Sequence, residues 1–340
     1  MKTGKKILLL VGILLLAAGL TVLQIARHRG VSFSAGVTNG FGFDSGVSVA
    51  YDQDAYTVLA DGEESFVSGE VRALDLDWIS GSVTVERYEG RELVVRESCF
   101  RALTEDETAR FRLRGGTLSI LPCANNIRSL PEKQLTVLVP KGMTLSGAEV
   151  DATSASVTAR SLEVADAIAL RVVSGSLRVE DCRCGSLDLE STSGSRYILR
   201  TEVSGGVDAD GVSGSFTVES LRCASLDVSS TSGSQNISSL RCDTLRLASS
   251  SGSKSVFDLD CRAVEASSTS GSLRIEFASA PERVGVEGSS GSVTLIFPRG
   301  TGIDLDFDHT SGSLHGEPIR GDIPVDVETT SGSLTIGYDG

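Results

Sequence analysis

Residues 232–251 read SGSQNISSLRCDTLRLASSS, and the tripeptide Ser-Gly-Ser that opens this stretch returns every 19 to 21 residues through the second half of the chain. A fixed period of this length is typical of repeat proteins, in which each unit buries its apolar side only by stacking on its neighbours. The central glycines are Gly175, Gly194, Gly214, Gly233, Gly252, Gly271, Gly291, Gly312 and Gly332. We interpret them as structural repeat corners, where glycine permits a positive φ or a close backbone approach.

Apolar residues recur at fixed distances from these glycines. In the quoted unit Ile237 lies four residues past Gly233, and Leu245 and Leu247 lie twelve and fourteen residues past it. Apolar residues at every second position are typical of strands with one buried face. No apolar stripe of helical period continues after residue 30. The pattern therefore predicts an all-β fold, a single-stranded β-solenoid with coils of 19–21 residues over residues 146–340.

Four of the seven cysteines lie nine residues past a corner glycine. They are Cys184, Cys223, Cys242 and Cys261, and Val203 occupies the same slot in the coil between the first two. Because valine shares the slot, we predict a buried thiol ladder, with in-register side chains about 4.8 Å apart. A disulfide needs a Cβ separation of about 3.8 Å, which is shorter. Pairing of Cys99 with Cys123 stays open, since both stand at the ends of predicted strands.

A long apolar run stands near the amino terminus. Residues 7–25 carry no charged side chain, and basic residues flank them on both sides. Nineteen helical residues span about 28 Å, close to the hydrocarbon thickness of a bilayer, about 30 Å. We predict a transmembrane anchor over residues 1–29 of a single-pass cell-membrane protein, with the amino terminus cytoplasmic and the rest extracytoplasmic. A cleavable signal peptide is the alternative, although its apolar core is normally shorter.

Two further segments separate the anchor from the coils. Residues 30–66 are rich in Gly, Ser and Asp, which predicts a flexible tether. Residues 67–145 predict an N-terminal β cap, because solenoids need atypical terminal units. Within this cap, a capping-box pattern at Thr104–Glu107 predicts a short helix reaching Phe111. At the other end Ser331–Tyr338 reads as an ordinary repeat strand with an uncovered edge, through which self-association is conceivable.

Several features together resemble one known family. They are the apolar run, the block Trp78-Ile-Ser-Gly-Ser-Val83, the segment Leu138-Val-Pro-Lys-Gly142 and the tandem Thr-Ser-Gly-Ser units. The family consists of membrane-anchored bacterial β-strand-repeat proteins, catalogued as a domain of unknown function and labelled putative adhesins, and the resemblance covers roughly residues 67–340. It implies a right-handed β-solenoid attached to the cell envelope. It brings no catalytic or binding residues with it.

The sequence offers little chemistry. His309 and His315 stand near Asp304, Asp306 and Asp308, a set that suggests a metal site. Strand alternation places the three aspartates on one outward face, however, and we favour a solvated face over a metal site. The net charge of −14 argues against nucleic acid, which requires a concentrated basic surface. We therefore predict no catalytic, cofactor-binding or metal-binding residues.

These observations predict a non-enzymatic extracytoplasmic rod that acts in adhesion or as a cell-envelope scaffold. An accessory or sensor protein of envelope-stress signalling is the alternative. A glycan-acting enzyme ranks last, because no acid–base pair converges on a recognisable site. The expected partners are the membrane itself and a cell-wall or surface polymer, or an envelope membrane protein.

Overall fold

The computed structural model describes residues 31–33, 47–49, 55–125, 127 and 129–339. Within these ranges the protein has 27 strands and one 3-10 turn at Ala60–Gly62. Strands β1 (Val31–Phe33) and β2 (Val47–Val49) form an antiparallel pair of their own. The predicted anchor lies outside the described residues, and none of the helices within them is long and apolar enough to cross a bilayer.

The other strands form one continuous sheet that winds around an apolar core. Their bounds, in chain order, are β3 Thr57–Val58, β4 Glu63–Val67, β5 Ala73–Tyr88, β6 Glu92–Cys99, β7 Arg110–Arg114, β8 Thr117–Leu121, β9 Lys133–Pro140, β10 Leu145–Arg160, β11 Val164–Ser174, β12 Leu177–Glu180, β13 Arg183–Cys184, β14 Ser186–Ser193, β15 Arg196–Val203, β16 Gly206–Ser213, β17 Phe216–Arg222, β18 Ser225–Ser230, β19 Gln235–Ser249, β20 Lys254–Ser270, β21 Leu273–Phe277, β22 Arg283–Ser290, β23 Val293–Phe297, β24 Ile303–Ser311, β25 Leu314–His315, β26 Ile323–Ser331 and β27 Leu334–Tyr338.

Neighbouring coils stack in parallel and in register. Ile237 pairs with Val218 in the coil before it and with Val256 in the coil after it. All three side chains are at most 1% exposed, so equivalent apolar slots form a continuous column inside the coil. The predicted all-β solenoid is confirmed.

The Ser-Gly-Ser glycines form a column at one corner of the coils. Gly233 has a φ of 111°, and a Cβ atom on it would lie 2.2 Å from the carbonyl oxygen of Gly214. Positive φ values occur at eight of the nine glycines: Gly175, Gly194, Gly214, Gly233, Gly252, Gly271, Gly291 and Gly312. At Gly332, the ninth, an added Cβ would lie 2.1 Å from the Gly291 carbonyl oxygen. These positions therefore require glycine for conformation, for space, or for both.

A second corner is formed without glycine. Six stacked residues adopt the left-handed conformation: Ser161, Asp181, Arg200, Ser220, Ser239 and Asp258. Five of them stand six residues past a corner glycine. Serine and aspartate dominate the column, and short polar side chains can stabilise this conformation by local hydrogen bonds. The sequence pattern alone did not reveal this corner.

The order of the coils in space differs from their order along the chain at both ends. Near the amino-terminal end β5 lies between β8–β9 and β10. At the other end β26–β27 lie between β22–β23 and β24–β25. The prediction that Ser331–Tyr338 is the terminal edge is therefore wrong, and residues 303–315 form that edge instead.

The reason for this exchange lies in one core slot. Four residues past its corner glycine, the coil of β26–β27 carries Ile336, which is 4% exposed. The coil of β24–β25 carries Gly316 at the equivalent position, where it lies against the backbone of Ile336. Inside the stack, a coil without a side chain in this slot would leave a cavity, which lowers the stability of the fold. At the end of the stack the empty slot encloses no cavity, so the loss of stability is smaller.

Antiparallel strands close the amino-terminal end. β7 pairs with β8 and β3 with β7, while β6 pairs with β9 and β4 with β6. Leu59 and Phe66 are buried in this cap, so the predicted tether boundary at residue 66 is too late. Because β5, β8 and β9 already stack as parallel coils, regular stacking also begins before residue 146.

The predicted helix in the cap is a single turn. Thr108 N donates to the Thr104 carbonyl oxygen at 3.1 Å, and Thr104 N donates to Glu107 Oε2 at 2.9 Å, as in a capping box. The turn does not propagate, because β7 begins at Arg110 and its backbone hydrogen-bonds to β8. Tertiary pairing here overrides local helix propensity.

Candidate functional site

One side of the solenoid carries two columns of outward side chains along eleven strands. They stand on β5, β10, β11, β14, β16, β18, β19, β20, β22, β26 and β24, in spatial order. The first column is Asp75, Glu149, Ala169, Asp188, Asp208, Asp227, Arg246, Glu265, Gly285, Asp326 and Asp306. The second is Asp77, Asp151, Arg171, Glu190, Asp210, Ser229, Ala248, Ser267, Glu287, Glu328 and Asp308. Carboxylates dominate both columns, and we refer to this surface as the acidic face.

The acidic face is concave over much of its length. From Asp208 to Asp308 it lines a groove of about 920 Å³. The floor of the groove is the sheet itself, with small residues such as Ala248 and Gly285, and carboxylates stand along it. The shape leaves room for an elongated ligand that crosses several coils.

Arg171 organises the end of the face nearest the cap. Its guanidinium lies 2.6 Å from Glu149 Oε1, 3.0 Å from Asp188 Oδ2 and 3.5 Å from Glu190 Oε1. It also lies 3.6 Å from Asp151 Oδ1, so it contacts carboxylates of the two coils on either side of its own, on β10 and β14. These carboxylates raise the pKa of Arg171 in spite of its burial. One guanidinium is thus shared by four carboxylates, and this end of the face keeps an excess of negative charge.

Like charges also lie close together further along the face. Burial, followed by the nearby charges of Asp210 and Asp188, raises the pKa of Asp208 above its ordinary value. Burial and then Asp208 likewise raise the pKa of Asp227, which the Arg246 guanidinium opposes. Raised carboxyl pKa values reflect crowded like charges in a partly desolvated site. A cation placed among these groups would relieve that repulsion.

Within the described part of the chain, the arrangement does not resemble a metal centre. Among the residues that the structure describes, no group of three or more His, Cys, Asp or Glu could hold a metal ion. His309 stacks on the ring of Phe307 with the centroids 4.4 Å apart, and His315 Nε2 lies 3.4 Å from Ser313 Oγ. Asp306 and Asp308 belong to the acidic face, whereas Asp304 precedes it on β24.

The cysteine slot forms a column inside one corner. Cys184 pairs with Val203, and Cys242 pairs with Cys261. All seven cysteines are free thiols, including Cys99 and Cys123. Cys184, Cys223 and Cys261 are buried and Cys242 is half-buried. Burial raises the pKa of the Cys184 thiol to about 12, so this thiol is unreactive in the folded state.

Alkylation should follow this burial. We expect iodoacetamide to modify Cys99 of the native protein first. Cys99 is half-buried on the cap, and its Sγ donates one long hydrogen bond, 3.6 Å, to the Glu132 carbonyl oxygen. The buried ladder cysteines, Cys184, Cys223 and Cys261, should react only after unfolding, and then without a reductant. Mass spectrometry of the labelled peptides measures both stages. Cysteines at 223, 242 or 261 that resist labelling in the unfolded, unreduced protein would contradict the ladder of free thiols.

Three polar side chains lie in the core two residues past a corner glycine. Arg196, Gln235 and Lys254 are at most 2% exposed, and each occupies a slot that other coils fill with Leu, Val or Phe. Arg196 donates to the Ala209 carbonyl oxygen at 3.0 Å, and its guanidinium lies 5.6 Å from the Phe216 ring centroid. Burial lowers the pKa of Lys254 to about 8. Arg196 and Lys254 thus place cationic groups in the core, and their burial lowers the free energy of unfolding.

Lys254 should make stability depend on pH. Its folded pKa of about 8 lies below the ordinary lysine value of 10.5, so the unfolded chain binds more protons between these values. The Lys254 contribution therefore rises as pH increases from about 8 to about 10.5. We expect Lys254→Met to unfold at a higher temperature than the wild type at pH 7, with a gap that narrows towards pH 10. A difference in unfolding temperature that stays constant with pH would contradict this assignment. The comparison of the two proteins is specific to Lys254, because all other titrating groups are the same in both.

Only one end of the acidic face, the aspartates of β24, was evident in the sequence. A signal for the rest is present, since Asp188, Asp227 and Asp326 all stand between two inward apolar residues of a predicted strand. The glycine spacing varies between 19 and 21 residues, however, so the columns do not align at a constant sequence interval. Only the observed register brings them together.

Part of the chain matches a known family. Residues 203–336 match the family model described as Toastrack DUF4097, and over these residues the resemblance stated from the sequence is confirmed. The matched stretch contains the carboxyl-terminal coils and most of the groove. No curated protein matches the chain at a significant level.

Three bacterial proteins are among the solved structures that are similar to this chain. A putative adhesin from Parabacteroides distasonis is 13% identical, with 82% of this chain and 98% of that chain covered and a TM-score of 0.43. A putative adhesin from Bacteroides fragilis is 11% identical, with 81% and 95% covered and a TM-score of 0.37. A putative cell adhesion protein from Clostridium sporogenes is 10% identical, with 82% and 99% covered and a TM-score of 0.18.

Proposed function

We propose that this protein is a non-enzymatic, membrane-anchored extracytoplasmic β-solenoid that acts in adhesion or as a cell-envelope scaffold, and that its acidic face holds a polycationic surface polymer. The observation that carries the proposal is the in-register repetition of carboxylates along the sheet. Adjacent coils are about 4.8 Å apart, so the face presents negative charge at regular short intervals. A polymer with repeated ammonium groups can contact many of them at once.

Multiple weak contacts suit an adhesive surface. Each exposed ion pair contributes only about 0.2–1 kcal/mol, which is too little for binding alone. Contacts joined along one polymer add to each other, because the second and later contacts form within the same complex. The groove favours a chain that lies lengthwise over the coils, and the net charge of −14 attracts cations from a distance.

The predicted anchor belongs to the same proposal. Residues 1–29 would hold the rod at the outer side of the membrane, where the acidic face meets surface polymers rather than cytoplasmic ones. Fractionation of cells that produce the full chain tests this part. Release of the protein from membranes by a carbonate wash would contradict the anchor and leave the binding face unaffected.

A binding measurement with matched variants tests the face. We expect the full chain to bind a poly-lysine surface and the triple variant Asp208→Asn, Asp227→Asn, Asp326→Asn to bind about tenfold more weakly, since three exposed ion pairs are lost. The control carries Glu202→Gln, Glu219→Gln and Asp260→Asn, which removes the same charge from other sides of the coil.

The control should stay within about twofold of the wild type in the same assay. Binding should also weaken as salt increases, because exposed pairs are screened. It should weaken on acidification at a higher pH than ordinary carboxylates require, since the pKa values of Asp208 and Asp227 are raised. Equal losses in the two triple variants would show that net charge, not this face, attracts the polymer.

A further inference from the structure

The solenoid ends on an open strand. β24 is hydrogen-bonded to β26 along one side. On the other side its first residue, Ile303, is bridged by the backbone of residues 319–321, and among the strands that the structure describes none pairs with the rest of that side. β24 runs for nine residues, Ile303–Ser311, and is straight enough to keep the parallel register with β26 along its whole length. An edge of this kind presents a row of backbone donors and acceptors for another strand.

The inward side of the same coil is incompletely covered. Leu305 and Phe307 are half-buried, whereas Val325 and Val327, their partners in the next coil, are at most 2% exposed. Leu314 is 41% exposed, although its partner Leu334 is fully buried. These apolar side chains have the core pattern without the coil that would complete the core. One more strand laid along β24 would cover them.

The other end of the molecule shows how this protein closes a coil. There β8 and β9 are covered by antiparallel strands β7 and β6, which β3 and β4 extend further. On β24 only Ile303 is covered in this way, by the bridge to Arg320, and no described strand extends that cover along the following residues. The chain's own last described strand, β27, lies inside the stack between β23 and β25.

The negative charge of the β24 edge indicates which kind of strand can pair with it. Asp304, Asp306 and Asp308 stand exposed on the outward side of the edge. A second copy of β24 in antiparallel pairing would place Asp306 opposite Asp306 and Asp304 opposite Asp308, and directly opposed like charges are destabilising. A strand with Lys or Arg at these positions would form favourable cross-strand pairs instead.

We propose that the free edge of β24 accepts an extended segment of another protein in which apolar and basic residues alternate. The apolar residues of that segment pack over Leu305 and Phe307, and its basic residues pair with Asp306 and Asp308. Its backbone completes the hydrogen bonds of the edge, as in other cases of strand addition. This site adjoins the groove of the acidic face and shares Asp306 and Asp308 with it, but it binds through the backbone edge of β24, whereas the groove holds its polymer through side chains only.

Hydrogen exchange on the full chain tests the site with a defined probe, a nine-residue peptide of alternating valine and lysine. The probe should slow exchange of those β24 amides that do not bond to β26, and leave the amides of β27, already inside the stack, unchanged. Two matched peptides accompany it. One carries glutamate in place of lysine, and the other is N-methylated at the amides that would face β24.

Both matched peptides should bind at least about tenfold more weakly, the first through charge repulsion and the second through loss of backbone pairing. The double variant Asp306→Lys, Asp308→Lys should lower the affinity for the probe to a similar degree. The control is Glu202→Lys with Asp260→Lys, which makes the same charge change on exposed residues away from the acidic face, and it should leave the affinity within about twofold.

Three outcomes would overturn the proposal. N-methylated peptide that binds as well as the probe would show attraction to the acidic face without strand addition, and would leave the proposed function intact. Equal losses in the two double variants would show that net charge, rather than the edge of β24, attracts the probe. A concentration-dependent dimer of the peptide-free chain, detected by ultracentrifugation and dissociated by the probe, would identify a second copy as the occupant of the edge.

Discussion

Gly233→Ala is expected to destabilise the solenoid by about 2–4 kcal/mol, because the position combines a conformational and a steric requirement. Its φ is 111°, a region that residues with a Cβ rarely adopt. The added methyl group would lie 2.2 Å from the carbonyl oxygen and 2.8 Å from the carbonyl carbon of Gly214. Both are backbone atoms within a hydrogen-bonded stack, so they cannot move aside without disturbing two coils. The cost should therefore be large for a single methyl group.

Urea denaturation followed by circular dichroism measures this effect, with Gly285→Ala as the matched control. Gly285 lies in the same sheet, has no positive φ, and would place its Cβ 3.9 Å from the nearest atom, the Val264 carbonyl oxygen. We expect the control to stay within about 0.5 kcal/mol of the wild type. Equal midpoints for the two variants would mean that the glycine column is dispensable.

Lys133→Met is expected to destabilise the amino-terminal cap by about 3–5 kcal/mol, because it leaves a buried carboxylate without its cation. Lys133 and Glu97 form a fully buried ion pair, with Nζ 2.5 Å from Glu97 Oε1 and side-chain exposures of 0% and 1%. The same ammonium donates to the carbonyl oxygens of Glu107, at 2.6 Å, and Pro122. It also lies 4.9 Å from the Trp78 ring centroid. The Lys133 side chain on β9 thus contacts β6, the turn at Thr104–Glu107 and the Trp78 ring on β5.

Thermal unfolding measures this loss against Lys141→Met, which removes an exposed pair. Lys141 Nζ lies 2.9 Å from Glu89 Oε1, but the two side chains are 64% and 82% exposed. We expect a change below about 1 kcal/mol there. The double variant Lys133→Met, Glu97→Leu should recover part of the stability, because the buried charge is then gone. A Lys133→Met protein as stable as Lys141→Met would refute the role of the buried pair.

The sequence was informative wherever a constraint is local. The glycine at position 233 and the alternation around Ile237 specify a corner and a half-buried strand by themselves, and the stack follows from their repetition. Local signals were not sufficient at the turn Thr104–Glu107. Its capping box is present, but the residues that follow form β7, which pairs with β8. A local signal was correct there, and a distant partner decided its outcome.

The candidate sites lay further from what the sequence could reveal. Asp208 and Asp326 belong to one column, yet they are 118 positions apart and several coils separate them. The free edge could not be assigned either, because Ser331–Tyr338 and the coil of β24–β25 carry the same corner tripeptide. Backbone hydrogen bonds do not distinguish one repeat from another.

Sequence alone determined the all-β coil, its apolar interior and the corners where only glycine fits, because period-two alternation and backbone sterics act within a few residues. Tertiary structure decided which coils are neighbours at the two ends, and therefore which strand is exposed and which carboxylates share a face. The physical reason is that the whole stack must be filled: Ile336 completes the core between two coils, whereas Gly316 leaves its slot empty and belongs at the end.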